Sequence, residues 1–275
     1  MIGQRPLLAS SGQWAENRMR DWLGERLRDL VMWPVNLVRD FPVRITRLAK
    51  TVWRGIRGVV FVLPEAWRAS RDADFRRWLR WKNGRFFDWL HQFLTQIFDL
   101  LGGPEIGEFL MHLAARTTPL TGDELEAITS VLGPEAMRFG DVRVVEGGVF
   151  DWIFKRNGGL AFATWHSINL PRTGRHTRQN LPIVVHELTH VYQYEQVGSR
   201  YLGEAVYMLI KTKRDCYNYG GAAGLGTACT EGRRYRDFNR EQQAKITQDY
   251  YDLKSRGKDV TAYDSFITQV QAGDL

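Results

Sequence analysis

The sequence predicts an α+β fold in which an α-helical N-terminal region precedes a domain made of a short antiparallel sheet and several helices. Three observations predict it. Apolar residues recur at three- and four-residue spacing through much of the first hundred positions. Between Asp141 and Leu170 that period shortens towards two, with turn signals at Gly147-Gly148 and Gly158-Gly159. From Leu181 onward helical spacing returns.

Size and charge set the frame. The 275 residues have 44% hydrophobic content, as a globular chain does, and are enough for one large domain or two ordinary ones. The net charge of +7 is concentrated at one end. Residues 1–100 hold 18 Lys and Arg against 10 Asp and Glu, and they hold eight of the ten tryptophans. Composition therefore places a boundary near residue 101, between a basic, Trp-rich region (1–101) and the rest (102–275).

Taken in order, residues 13–32 carry Met19, Trp22, Leu23, Leu27 and Leu30 on one stripe, which predicts a helix ending before Pro34. A second amphipathic helix is expected after Pro42, where Ile45, Leu48, Val52, Ile56 and Val59 oppose Arg44, Arg47, Lys50, Arg54 and Arg57. An Arg- and Trp-rich run, RRWLRWKNGR, leads to a third stripe from Phe86 to Leu101. These helices are read as a subdomain packed on itself or on the rest of the chain, as a partner-docking module, or as a peripheral membrane contact through residues 1–101. No stretch is apolar over the roughly 20 residues that a spanning helix needs. No motif for specific nucleic-acid binding accompanies the charge. The first residues lack the apolar core of a secretory signal, which predicts residence in the cytoplasm at synthesis, with export left to machinery that takes folded cargo.

Gly102-Gly103-Pro104 reads as a linker, and helices are expected over Glu105–Arg116 and Gly122–Leu132, the second opened by a capping box of Thr121 and Glu124. Strands are expected over Asp141–Val145, Val149–Phe154 and Leu160–Leu170. The last leads toward Leu181–Gly198, LPIVVHELTHVYQYEQVG, which reads as one helix with Asn180 as N-cap. Beyond it come a helix at Glu204–Arg214, a Gly-rich loop at Tyr219–Gly226 and a long helix at Asp237–Arg256. Cys216 and Cys229 flank the Gly-rich run and are read as free thiols.

The chemistry lies in His186-Glu187-Leu188-Thr189-His190. On a helix His186 and His190 differ by about 40° and share one face, so two imidazoles can grip one metal ion. Glu187 is turned about 100° from His186, placed to act on a water bound to that ion rather than to join its ligands. A catalytic Zn2+ takes a third protein ligand. Glu195 points about 180° away from His186 and is excluded, leaving Glu204, Glu231 and Glu241. Glu241 is the first choice, because its helix can cross the metal helix with Ala244 allowing close approach. Tyr219, Tyr235 and His166 are candidate donors to a developing oxyanion, with His166 otherwise a half-exposed strand position and His176 a solvated loop residue.

HELTHVYQ, preceded by AFATWHSINL and followed by NREQQA, resembles the zincin-like metallopeptidases of bacteria, including the Vgr-related proteins of contractile (type VI) secretion systems. The resemblance covers about residues 105–255 and leaves the first hundred outside it. It implies a zincin fold with His186, His190 and Glu241 as ligands, Glu187 as base and a protein or peptide substrate. It also implies an effector or processing role, with a secretion-system spike protein as partner. The glycine and third histidine of the metzincin pattern are absent after His190, which points to the glutamate-ligand branch. The opposing expectation is a non-catalytic adaptor on the same fold; retention of Glu187 favours the enzyme.

Overall fold

The computed structural model describes residues 11–71, 75–113, 115–147 and 151–275, with side chains described outside 11–18, 60–66, 69–71, 75–84 and 208–214. Two long helices, α1 (Ser11–Arg71) and α2 (Phe75–Leu100), lead into α3 (Gly103–Leu113), β1 (Thr117–Thr118) and α4 (Gly122–Leu132). Next come β2 (Arg143–Glu146), α5 (Asp151–Asn157), β3 (Phe162–Thr164) and β4 (Ser167–Leu170). The chain ends with α6 (Leu181–Val197), α7 (Arg200–Thr212), α8 (Gly221–Thr230), α9 (Arg240–Ser255) and α10 (Thr261–Gln271).

The α+β class agrees with expectation, but the sheet is mixed rather than antiparallel. Its order is β1-β2-β4-β3, with β2 and β4 parallel and the outer pairs antiparallel. The span 160–170 is a hairpin of two strands turned at Trp165, which lies at φ 51°. That strained turn is held from outside, since Tyr201 Oη accepts the Trp165 amide at 3.0 Å and Ser199 Oγ accepts the indole N–H at 2.9 Å. Of the strand expected at 149–154, the first two residues lie outside the described ones and Asp151–Phe154 is helical. Its end charges favour the helix, with Asp151 in the first turn and Lys155 and Arg156 in the last. The Gly-rich run is likewise a helix rather than a loop. Leu225 and Ala228 are buried along α8, and Gly224 lies so close to the Tyr219 carbonyl that no side chain fits.

The N-terminal region departs most from local sequence rules. Residues 11–71 form one helix through Pro34, Pro42 and Pro64 rather than two helices broken there. Side contacts hold α1 where its own backbone hydrogen bonds are lost. Arg26 donates to Thr117 Oγ1, Arg39 pairs with Asp141 at 2.7 Å, buried Arg44 pairs with Glu105, and Asp40 pairs with Arg138. Gly102-Gly103 is a tight corner rather than a linker: Gly102 takes φ 78°, and a Cβ on Gly103 would strike the Phe98 ring. No helix among the described residues is long and apolar enough to cross a membrane.

The main core lies between the sheet, α4, α6, α9 and α10, and includes Ile128, Val131, Ile168, Leu170, Val184, Leu188 and Phe266. The α4 capping box is present, with Thr121 accepting from the Glu124 amide and Glu124 accepting from the Thr121 amide. Helix α6 is buried from Val184 to Tyr194. It crosses α9 where Thr189 Oγ1 and Thr247 Oγ1 are 2.7 Å apart, beside the fully buried Ala244.

A candidate metal centre between α6 and α9

One turn of α6 separates His186 from His190, and their rings lie 5.0 Å apart at 82°. The first turn of α9 brings Glu241 to them from 55 positions down the chain. Its Oε2 is 3.3 Å from His186 Nε2 and 3.4 Å from His190 Nε2. The three ligand atoms lie within 4.8 Å of one another, and all three residues are buried. Neither alternative glutamate reaches the cluster. Glu204 pairs with Arg200 and Arg240, at 2.8 Å from the latter, and Glu231 is the exposed C-cap of α8. Glu195 lies on another side of α6, bound to Arg138 and His166.

Hydrogen bonding fixes the orientation of one ligand. The Gln193 side-chain amide donates to the Arg240 carbonyl at 3.1 Å, an oxygen that can only accept, so its Oε1 is the atom facing His190. His190 Nδ1 lies 2.8 Å from that Oε1 and must carry the proton. When the ring is neutral, as metal binding requires, this leaves the lone pair of Nε2 directed toward Glu241 and His186, the tautomer that binds a metal.

The electrostatics call for a cation at the same point. Burial raises the Glu187 carboxyl above its usual range, only partly countered by His186 and His190. For Glu241 burial acts in the same sense, but the two imidazoles outweigh it and hold the carboxyl well below the ordinary value. Burial pushes His190 down, and Glu241 and Glu187 overcome it, lifting the ring to about 9. Two carboxylates and two imidazoles thus converge, and among the described side chains no Lys or Arg joins them. His186 Nδ1 and Glu187 Oε2 are buried with no hydrogen-bond partner, unusual for interior polar atoms. Two imidazole nitrogens and one carboxylate oxygen are the donor set of a three-ligand zinc site, and the residues present fit that ion.

The three expected oxyanion donors lie elsewhere. Tyr219 Oη donates to Asp249 at 2.6 Å, and Tyr235 Oη donates to the Gln243 carbonyl at 2.8 Å. His166 is buried rather than half-exposed, between Glu108 and Glu195. The tyrosines at the cluster are Tyr217, with its ring 5.9 Å from His186, and Tyr201, stacked 6.2 Å from His190. Tyr217 stands two residues before Tyr219, one of the three candidates, and only the position of the 3-10 turn Lys213–Tyr217 distinguishes them. His176 is half-buried and feels the charge of His186, so its loop lies nearer the centre than a solvated reading predicts. Cys216 and Cys229 are both free thiols, the first buried and the second exposed.

A second constellation has the connectivity of a nucleophile triad. His112 Nε2 is 2.8 Å from Ser167 Oγ, and its Nδ1 is 2.9 Å from Asp29 Oδ2. Ser167 is 0% exposed inside the sheet, so no substrate reaches it. The three residues instead tie α1, α3 and β4 together.

No protein-family model, no curated protein and no solved structure matches this chain.

Proposed function

We propose that the chain is a zinc-dependent metallopeptidase, with His186, His190 and Glu241 holding the ion and Glu187 acting as general base. The single observation that carries the reading is the convergence of Glu241 from α9 onto both imidazoles of the H-E-x-x-H turn, with the unpaired Glu187 oxygen buried beside them. A structural metal site has no need of Glu187 there. When bound, the zinc ion lowers the pKa of a water molecule toward 7 and polarises the scissile carbonyl.

The chain's own residues do the rest. Glu187, whose proton affinity is raised by burial, takes the proton from the attacking water and delivers it to the leaving amine. Gln193 keeps His190 in the metal-binding tautomer throughout. Tyr217, beside His186, is the side chain best placed to donate to the oxyanion. Strand β3 pairs with β4 on one side and packs on α6, so its other edge, the edge of the sheet, offers backbone groups to an extended peptide. The resemblance to Vgr-related proteins adds the proposal that the enzyme serves a contractile secretion system.

The test is turnover on a peptide library with zinc-loaded protein. Glu187→Gln is expected to keep its metal and lose about 10²- to 10⁴-fold in turnover. A variant as active as wild type removes Glu187 from the mechanism.

A further inference from the structure

Helix α1 carries an exposed apolar face, bordered at Val52, Ile56 and Val59 by Phe86, Trp89 and Phe93 of α2. Met19, Leu30, Phe41 and Val52 are exposed at intervals of eleven residues. Leu23, Ile45 and Ile56 form a parallel exposed row, with Pro34 filling its gap at the same interval. Eleven residues make just over three turns, so each row drifts only about 20° per repeat and the face keeps to one side of the helix over roughly 55 Å. Asp29, Asp40 and Arg44, which make ion pairs, and Arg47, which donates to the Glu195 carbonyl, lie on other faces and hold the helix to the rest of the fold.

Charge accompanies the apolar face. Residues 50–89 hold ten Lys and Arg against four Asp and Glu, or +6 of the chain's +7, together with five of the ten tryptophans. Exposed Lys50 and Arg57 lie on another exposed side of α1, a quarter-turn or more from the apolar rows, and Phe86 of α2 is exposed beside Ile56 and Val59.

We infer that this face docks onto an anionic lipid bilayer, with α1 lying in the headgroup plane. A continuous apolar stripe on a helix with basic residues and tryptophans is the composition of an interfacial helix. Insertion across the bilayer is excluded for the described helices by their hydropathy. A second copy of the chain would bring +7 against +7, whereas a bilayer containing acidic lipid brings the opposite charge. The inference is independent of the metal site.

The experiment is co-sedimentation of the full chain with vesicles of phosphatidylcholine, with and without phosphatidylglycerol, at low and high salt. Pelleting with the anionic vesicles at low salt, its loss at high salt and a blue shift of tryptophan emission are expected. The triple variant Leu27→Asp, Val38→Asp, Ile56→Asp changes only exposed side chains, so its circular dichroism melt should match wild type while binding weakens at least about tenfold. Failure of wild type to pellet with anionic vesicles at low salt overturns the inference, as does pelleting unchanged by the triple variant. A wild-type dimer in light scattering that the triple variant dissociates assigns the face to a second copy and overturns it equally.

Discussion

The smallest unit that decides the chemistry is the hydrogen bond from His190 to Gln193. Without it His190 is free to place its proton on Nε2, the atom that faces Glu241. Gln193→Leu keeps the volume and removes the acceptor, and it is expected to lower zinc affinity by about 10- to 100-fold in a chelator competition. Equal affinity in the Leu variant contradicts the tautomer argument. Three of the four proposed site residues were legible because one helical turn separates them, a relation that sequence spacing alone specifies. Glu241 required a further step, the packing of a second helix with a small residue at its crossing. The flanking tyrosine was not legible, because Tyr217 and Tyr219 share one local sequence and only the turn between α7 and α8 points the former toward His186.

Among the elements, the β3–β4 hairpin is fixed to its neighbours by one buried histidine. His166 faces Glu108 from α3, Glu195 from α6 and the Arg138 guanidinium, which is itself paired with Asp40 of α1. Burial pushes the ring down, but Glu108 and Glu195 outweigh it and raise its pKa from 6.5 to about 9. A group whose pKa is raised on folding contributes its full stability below the unfolded value, and the contribution is lost as pH rises through the folded one. The protein should therefore lose up to about 3 kcal/mol of unfolding free energy between pH 6.5 and pH 10. Denaturant titrations across that range, repeated on His166→Gln, measure it. The variant should show a flatter profile; an identical slope contradicts the assignment.

Element boundaries were harder to read than the motif, for related physical reasons. Two prolines predict breaks in α1 from local backbone chemistry, yet hydrogen bonds from Arg26 and Arg47 and ion pairs at residues 39–44 with distant parts of the chain keep it helical. Phe154 and the residues before it fit either a strand or one helical face over so short a run, and the end charges of α5 are the better guide. Glycines in α8 suggest a loop, whereas the fold uses their lack of side chains for close approach to Tyr219. Thr121 and Glu124, by contrast, specify a cap through contacts three residues apart, and α4 starts where they place it.

At the scale of the whole molecule, the proposed ion joins elements that the sequence keeps far apart. Helices α6 and α9 sit on either side of the buried His-His-Glu cluster, and the core that surrounds them includes the sheet, α4 and α10. An ion bound there links the centre of the fold, so metal binding and stability are coupled. The basic helical region lies against this domain through the ion pairs of α1 and carries the exposed apolar face on another side. On the two proposals, one part of the chain holds an ion and another meets a surface.

The central claim is the three-ligand site, and elemental analysis of purified protein tests it most directly. After zinc loading and removal of excess metal, wild type should retain about one zinc per chain, with much less in His190→Ala and Glu241→Ala. Wild type without zinc after loading would contradict the account, and so would a Glu241→Ala variant that retains a full equivalent.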